Sequence, residues 1–266
     1  MAKTRAEETK TRRFVHGWIP DVPDQRDYKL SAILRVPAKM PKSVDLRATC
    51  SAVEDQGELG SCTANALAGA LEFLECKDKV PFRDFSRLFI YYNERVLEHT
   101  VKSDSGAMLR DGIKTLAKQG ACSENSWPYK ISRFAAKPSA ACYKEALSHQ
   151  ITSYYRLETI DEMRACLAAG FPFVFGFAVY ESFESQEVAR TGKVNMPKKG
   201  EKQLGGHAVL GVGYDDKTKR FLVRNSWSDD WGMKGYFTMP YQYLGNRDLS
   251  DDFWTVRRGE LMLGKS

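Results

Sequence analysis

The fold of this chain is most visible in residues 205–225, which read GGHAVLGVGY-DDKTK-RFLVRN. Two apolar runs, His207–Gly213 and Phe221–Asn225, are separated by the polar stretch Asp215–Lys219. This pattern is typical of two strands joined by a tight turn. The stretch therefore predicts a β-hairpin with a histidine at the start of one strand and an asparagine at the end of the other.

Further strands are predicted around this hairpin, whereas helices dominate before residue 150. The other strands are predicted at Phe173–Tyr180, Gly235–Met239 and Phe253–Arg257. The helices are predicted at Ser61–Glu75, Ser86–Glu98, Leu109–Gln119 and Thr159–Gly170. A helical half followed by a β-rich half predicts an α+β fold, and a cleft between two such halves is a favoured ligand site.

The chain divides into three segments. Residues 1–42 contain four prolines and no sustained helical or strand period, so they are predicted to form an N-terminal extension. Residues 43–150 are predicted to form the helical lobe, and residues 151–266 the β-rich lobe.

The composition is that of an ordinary soluble globular protein, with 42% hydrophobic and 28% charged residues in a chain of 266. No run approaches the roughly 18 apolar residues of a membrane helix, so no membrane partner is expected. The net charge of +6 comes without an aromatic or groove-reading motif, which argues against a nucleic-acid partner. A charged start without an apolar core predicts a cytoplasmic location, with export by another route left open, and we expect a monomer.

The six cysteines form no C-x-x-C pair and no zinc-site spacing with histidine, so no metal is predicted. Cys62 stands where a glycine-containing loop gives way to an apolar helix. A thiol at a helix N-terminus is favoured in its reactive thiolate form, although a buried structural cysteine is the alternative interpretation. Cys50 and Cys122 are hypothesised to form a disulfide, against the alternative of two free thiols.

His207 and Asn225 are the polar residues that best complement such a thiol. Two glycines precede His207 and leave space for a partner or a substrate backbone. Asn225 follows 18 residues later (225 − 207 = 18) and could accept one imidazole N–H, while Trp227 could shield that bond from water. A core histidine and a polar turn with core tryptophans are the alternatives.

Taken together, the three motifs resemble the papain family of cysteine peptidases over about residues 43–239. The family has a glutamine six residues before a cysteine that starts a central helix, matched here by Gln56 and Cys62. Its H-A-V-x-x-V-G-Y strand matches His207–Tyr214, and its N-S-W-x-x-x-W-G-x-x-G-Y motif matches Asn225–Tyr236. The separation of Cys62 from the histidine (207 − 62 = 145) also falls in the interval known for this family.

The resemblance implies a papain-like two-lobed fold, in which the buried central helix of one lobe faces the β-rich lobe across an active-site cleft. It implies a Cys–His–Asn triad in which Cys62 thiolate and His207 imidazolium form an ion pair and Asn225 holds the histidine. Gln56 and the Cys62 N–H would form the oxyanion hole. The substrate would be a peptide or protein, and no cofactor would be needed.

The same resemblance assigns substrate binding to Gly106, Ala107, Met108 and Gly206. Residues 105–108 match the family's pair of backbone-binding glycines with one glycine replaced by Ala107. In the family, the residues matched by Gly206, Ala107 and Met108 line the pocket for the side chain two residues before the cleaved bond. None of these three is charged, which predicts an endopeptidase that prefers an apolar side chain at that position.

The chain also departs from the family pattern. Residues 59–63 read LGSCT, where the usual C-G-S-C-W carries a second cysteine and an aromatic residue. The long helical prosegment of eukaryotic members is missing, and residues 17–28 look like the short extension of bacterial members. Because its prolines favour an extended conformation that a peptidase cleft accepts, residues from about Phe14 to Met40 are predicted to be a built-in inhibitor. Permanent packing away from the cleft is the alternative.

Two other functional classes stay open. A thiol acyl transferase or amidase could use the same triad, and added amines would then compete with water for the acyl-enzyme. A non-enzymatic member would only bind a partner, but it would not need Gln56, Cys62, His207 and Asn225 together. For a peptidase, Cys62 is expected to be far more reactive than the other cysteines at about pH 6, because an ordinary thiol is protonated there.

Overall fold

The computed structural model describes residues 15–259 and confirms the predicted α+β class. Residues 1–14 of the predicted extension and residues 260–266 of the predicted β-rich lobe lie outside the described residues. Helices dominate up to residue 150, and an antiparallel sheet makes up most of the remainder. Between residues 15 and 259, no helix combines the length and the apolar character needed to cross a membrane.

Seven α-helices, seven strands and five short 3-10 turns occur within residues 15–259. The helices are α1 Cys62–Lys77, α2 Arg87–Leu97, α3 Leu109–Lys118, α4 Ala140–Ala146, α5 Ile160–Ala168, α6 Gln186–Thr191 and α7 Tyr241–Gly245. The strands are β1 Ser43–Asp45, β2 Ser153–Arg156, β3 Phe173–Tyr180, β4 Gln203–Asp215, β5 Arg220–Arg224, β6 Tyr236–Pro240 and β7 Ser250–Arg257. The 3-10 turns are Leu30–Ala32, Arg47–Thr49, Ile131–Arg133, Leu147–His149 and Glu181–Glu184.

All seven strands belong to one sheet, in the order β2-β7-β3-β4-β5-β6 with β1 added beside β4. The predicted hairpin is confirmed, because β4 and β5 pair antiparallel with Leu210 opposite Arg224. An antiparallel hairpin brings the first residues of one strand near the last residues of the next. His207 near the start of β4 and Asn225 directly after β5 therefore lie at the same end of the sheet.

Helix α1 is buried on nearly all sides, as its apolar sequence predicts. Every residue from Cys62 to Glu75 is buried. The apolar side chains of α1 share one core cluster with Ala208 and Leu210 of β4. Glu72 of α1 and Arg224 of β5 form a buried ion pair with an N–O distance of 4.0 Å. The helical part and the sheet therefore meet along α1, whose first residue is Cys62.

The longer predicted elements are confirmed to within a few residues at their ends. Ser86 and Thr159 are the N-caps of α2 and α5, and each side chain accepts a backbone N–H from the first helical turn. Strand β4 begins four residues before the predicted start, because Gly205 and Gly206 also pair with β3. The helices α4, α6 and α7 are not predicted, since five to seven residues are too few for a helical period to be visible.

The hypothesised disulfide between Cys50 and Cys122 is wrong, because all six cysteines are free thiols. The Cys50 sulfur lies 3.6 Å from the carbonyl oxygen of Leu46. Cys122 is buried and its thiol interacts with that of Cys142 instead. A disulfide requires Cα atoms within about 7 Å, and the order of two loops along the chain does not determine that distance.

Candidate active site

Cys62 lies at the junction of the helical part and the sheet. It is the first residue of α1, Ser61 is the N-cap, and the thiol has no solvent exposure. The backbone N–H groups of Ala208, Gly17 and Thr63 are directed at the sulfur. Cys62 is therefore packed against the residue that follows His207, with donors that favour a negative charge on the sulfur.

His207 is held by Asn225 and covered by Trp227. The imidazole Nε2 and Asn225 Oδ1 are 2.8 Å apart, and Oδ1 also accepts the N–H of Ser226 at 2.9 Å. An oxygen in that position requires Nε2 to carry a proton and leaves Nδ1 as the unprotonated nitrogen of a neutral ring. Nδ1 is buried and has no hydrogen-bond partner within residues 15–259. The Trp227 ring stacks on the imidazole with centroids 4.8 Å apart, where it excludes water from the His207–Asn225 bond.

Gln56 joins the same cluster through Ser226, a residue that the sequence interpretation does not identify. The backbone N–H of Gln56 donates to Ser226 O at 2.9 Å. The Ser226 hydroxyl donates to Gln56 Oε1 at 2.7 Å. With its oxygen engaged, the amide must direct Nε2 the other way, towards Leu59 O at 3.0 Å and Val15 O at 3.2 Å. The sequence signal for this role is the place of Ser226 next to Asn225 in the N-S-W motif, which does not by itself identify Gln56 as its partner.

Asp104 connects two loops of the cleft and is also absent from the sequence interpretation. Both of its carboxylate oxygens accept the N–H of Gly60 at 3.0 Å. Its Oδ1 also accepts the Tyr91 hydroxyl at 2.5 Å, and that hydroxyl oxygen accepts the N–H of Gly106 at 3.1 Å. One carboxylate therefore positions the loop before Cys62 relative to the loop of the predicted substrate-binding residues.

Residues 15–19 run as an extended chain between these loops and the sheet. The N–H of Trp18 donates to Gly206 O at 3.0 Å. Ala107 makes two hydrogen bonds to the same chain, donating to Gly17 O at 2.8 Å and accepting from the Ile19 N–H at 3.0 Å. Two predicted substrate-binding residues, Ala107 and Gly206, are therefore the ones that hold a peptide in this structure.

The other two predicted substrate-binding residues differ from each other. A Cβ atom at Gly106 would come within 2.2 Å of Gly17 O, so only glycine allows this close approach. Met108 is the N-cap of α3, and its N–H donates to Glu98 Oε1 at 2.7 Å. Within residues 15–259, no hydrogen bond joins Met108 to residues 15–19.

The chain that precedes and follows Gly17 fits closely against the residues around Cys62. A Cβ atom at Gly17 would come within 1.8 Å of Gly60 O. The Val15 carbonyl accepts from Gln56 Nε2, while Gly17 directs its N–H at the Cys62 sulfur and its carbonyl at Ala107. The Val15 carbonyl thus occupies Gln56 Nε2, the group that the sequence interpretation assigns to the oxyanion hole. The sulfur of Cys62, however, faces the N–H of Gly17 and not a carbonyl carbon that it could attack.

With the cleft filled in this way, burial acts against the expected thiolate–imidazolium ion pair. Burial raises the pKa of Cys62 to about 12, and the N–H groups of Ala208 and Gly17 only partly offset it. Burial lowers the pKa of His207 to about 3, although the hydrogen bond to Asn225 acts in the opposite direction. Both groups are therefore neutral near pH 7, because water has been excluded from around each of them.

The residues after Pro20 are attached to the outside of the cleft. Asp27 accepts two bonds from the Arg110 guanidinium, at 2.6 and 3.1 Å. Asp21 Oδ1 accepts the backbone N–H of Arg110 at 3.1 Å, and Oδ2 accepts Trp254 Nε1 at 2.9 Å. Leu30 is buried in the core cluster of the β-rich part. The extension therefore has two parts, a cleft-bound part at residues 15–19 and an anchor at residues 21–34.

The comparisons with known proteins agree with one family. The family model described as papain family cysteine protease matches residues 40–252. The crystal structure of xylellain, a cysteine protease from Xylella fastidiosa, superimposes with a TM-score of 0.88 at 45% identity, covering 97% of this chain and 100% of that one. A procathepsin L 3 from the larval midgut of Tenebrio molitor, 18% identical, has the same fold with a TM-score of 0.67 over 87% of this chain and 76% of its own.

Two curated sequences extend the comparison. An uncharacterized peptidase C1-like protein of Acanthamoeba polyphaga mimivirus is 43% identical over 94% of this chain and 88% of its own length. Cathepsin L of Sarcophaga peregrina is 28% identical over 75% of this chain. The alignment with that cathepsin spans only 59% of the cathepsin's length.

Proposed function

The chain belongs to the papain family of cysteine peptidases, and on this basis we propose that it is an endopeptidase with Cys62 as nucleophile, kept latent by its own residues 15–19. A hydrolase of this family acts on a peptide or protein. The observation that carries the proposal is the peptide already bound in the cleft, with its Val15 carbonyl on Gln56 and its backbone on Ala107 and Gly206.

In the proposed mechanism, departure of residues 15–19 readmits water, so that Cys62 and His207 can exchange a proton and form the ion pair. The free Nδ1 of His207 is the nitrogen available to the thiol, because Asn225 engages Nε2. Cys62 attacks the substrate carbonyl, and the oxyanion takes the place of Val15 O at Gln56 Nε2, with the Cys62 N–H as second donor. His207 then protonates the leaving amine and activates the water that releases the acyl group.

The latency follows from three properties of the bound chain. It occupies the oxyanion donor, it buries the thiol, and it directs the Gly17 N–H rather than a carbonyl carbon at the sulfur. Its anchor keeps it at a high local concentration, so weak contacts suffice for nearly complete occupancy. The bound chain is also continuous on both sides of Gly17, which supports internal cleavage over removal of terminal residues.

An unfolded protein substrate tests the reaction. A protein that begins at Asp21, after an initiator methionine, is expected to cut carboxymethylated casein at internal bonds, which mass spectrometry of the earliest products identifies. Adding hydroxylamine should leave the products mainly free acids, because water is the acceptor of a peptidase. Hydroxamates as the main products would assign the triad to acyl transfer instead, and exclusive loss of terminal residues would contradict the endopeptidase proposal.

Latency is expected to be stronger at acid than at neutral pH. Burial and the neighbouring Asp252 raise the pKa of Asp21 to about 7 from 3.8 when the anchor is docked. A raised carboxyl pKa means that docking is most favourable where Asp21 is protonated and weakens as the pH rises through that value. The guanidinium groups of Arg110 and Arg156 oppose this effect but do not cancel it.

The pH dependence can be measured as the activity of the full chain divided by that of the truncated enzyme. This ratio is expected to rise by roughly tenfold between pH 5 and pH 8. Asp21→Asn should therefore remove most of the change. A ratio that stays constant or falls with pH would refute this role of Asp21.

A further inference from the structure

The side chain of Trp18 fills a pocket beside the cleft that two glycines leave open. A Cβ atom at Gly176 would come within 1.9 Å of Trp18 Cε2. A Cβ atom at Gly206 would come within 2.7 Å of Trp18 Cε3. Any larger residue at these positions would close the space, so the pocket is shaped to accept a long, flat side chain.

The pocket ends in the carboxylate of Asp252. Trp18 Nε1 donates to Asp252 Oδ2 at 3.0 Å, and only 1% of Asp252 is exposed. Asp252 has a φ of +56° and lies in the register shift between β3 and β7, directly after Asp251, which is the residue paired with Gly176. A bulge of this kind re-aims a side chain out of the regular alternation of the strand.

The donors to Asp252 come from both sides of the pocket. Oδ1 accepts from Arg156 Nη2 at 3.2 Å, and this nitrogen is shared with Asp251 at 2.9 Å. Oδ2 accepts the Trp18 indole and the backbone N–H of Asp21 at 2.8 Å. When residues 15–19 leave, Oδ2 keeps the backbone N–H of Asp21 but loses the indole donor, and this opens an acceptor position inside the pocket for another N–H group.

We propose that Asp252 makes this pocket select substrate side chains that end in an N–H group, with tryptophan and arginine preferred over apolar side chains of equal length. This rests on the proposed function, since residue 18 is taken to occupy the position of the substrate side chain two residues before the cut bond. The proposal replaces the apolar preference expected from the uncharged residues Gly206, Ala107 and Met108, because that expectation did not include the carboxylate of Asp252.

The charges around the pocket admit a cation as well as a neutral donor. Four carboxyl groups contact three guanidinium groups here, and the set is Asp21, Asp27, Asp251 and Asp252 with Arg110, Arg156 and Arg247. The carboxylate of Asp252 at the end of the pocket can accept from an arginine side chain, whose stem can lie between the glycines. A glutamate side chain is excluded because it would bring a second carboxylate against Asp252.

A pair of matched substrates isolates the N–H group. The enzyme that begins at Asp21 is given peptides that differ only in tryptophan or 3-benzothienylalanine at the tested position, since sulfur replaces the N–H without changing the shape. The tryptophan peptide is expected to have a kcat/KM about tenfold higher, as for a lost hydrogen bond to a charged group. The kcat/KM of an arginine peptide should likewise be higher than that of the matched norleucine peptide. Equal values within both pairs would overturn the proposal.

Two variants and a binding measurement complete the test. The tryptophan ratio is the kcat/KM of the tryptophan peptide divided by that of the 3-benzothienylalanine peptide. Asp252→Gly tolerates the positive φ and should reduce this ratio to about one. Asp251→Asn, the matched control at the neighbouring residue, should leave the ratio unchanged. If the glycine variant does not fold, Asp252→Asn should still lower the kcat/KM of the arginine peptide relative to that of the norleucine peptide, because the amide carries no charge. An unchanged ratio in the folded Asp252 variant would also overturn the proposal.

Binding separates this proposal from the peptidase proposal. A synthetic peptide of residues 12–20 should bind the Cys62→Ala form of the truncated protein about tenfold more tightly than its 3-benzothienylalanine analogue, by calorimetry. Hydrolysis without an N–H dependence of rate or binding would leave the peptidase proposal intact and remove this one. If binding depends on the N–H but the protein cuts no peptide, the pocket proposal would stand and the peptidase proposal would fail.

Discussion

Removing residues 1–20 is expected to raise the rate of hydrolysis of small peptides by about 100-fold or more, because a tethered occupant competes at millimolar effective concentration. The truncation leaves the anchor from Asp21 onwards, including buried Leu30, in its place. It frees Gln56 Nε2 and exposes the thiol of Cys62. The measurement is kcat/KM on a fluorogenic peptide, with the melting temperature as a check that the truncated protein is folded.

Single substitutions should reproduce part of this activation. Gly17→Ala places a methyl group within 1.8 Å of the Gly60 carbonyl oxygen if nothing moves, so the cleft-bound chain must be displaced. Trp18→Ala removes the indole from its pocket and should activate less strongly. Pro20→Ala is the matched control, because Pro20 is exposed at the end of the same stretch. A folded truncated protein that is no more active than the full chain would make the segment purely structural.

Thiol labelling gives a second measure of the same event. In the full chain, burial holds the pKa of Cys62 at about 12, so iodoacetamide should label it very slowly at pH 6. In the truncated protein Cys62 should become the first cysteine labelled, and His207→Ala should slow that labelling. The high reactivity expected from the sequence would then belong to the open cleft alone.

Cys62→Ala in the truncated enzyme is expected to lower kcat/KM by at least about 10⁴-fold, since loss of a nucleophile removes the covalent route entirely. Cys50→Ala is the matched control, because Cys50 is a half-buried free thiol away from His207. Gln56→Ala should lower kcat/KM by about 10² to 10³-fold, the usual effect of removing one oxyanion donor.

The labelling of these variants distinguishes their roles. Gln56→Ala should still react with iodoacetamide at Cys62, because the thiol and His207 are unchanged. Substantial hydrolysis by a purified Cys62→Ala protein would mean that another group is the nucleophile, and the proposed mechanism would be abandoned.

The sequence alone was sufficient to identify the features that depend on local pattern. The apolar helix after Cys62 and the hairpin of residues 207–225 are recognisable because burial imposes a period on each. Gln56 was identified by its spacing from the cysteine within a family motif. These features persist in the structure because the same burial that creates the pattern also stabilises the element.

Contacts between segments that are far apart in the sequence cannot be predicted from such local patterns. Ser226 orients Gln56 across 170 residues, and Asp104 joins two loops that are 44 residues apart at Gly60. Ser226 lies inside the N-S-W motif, but the motif does not reveal the partner of its hydroxyl, and Asp104 belongs to no period or motif. The disulfide hypothesis failed for the same reason, since loop order along the chain does not determine the distance between two thiols.

The N-terminal extension is only partly predictable from the sequence. Its prolines and aromatic residues predict an extended chain that docks on the protein, but the sequence could not divide it at Pro20 into a cleft-bound part and an anchor. That division depends on the approach of Gly17 to Gly60 and on the buried partners of Asp21, which exist only once the chain is folded. Burial likewise decides that Cys62 and His207 are neutral here, because a pKa responds to the water and charges around a group rather than to its neighbours in sequence.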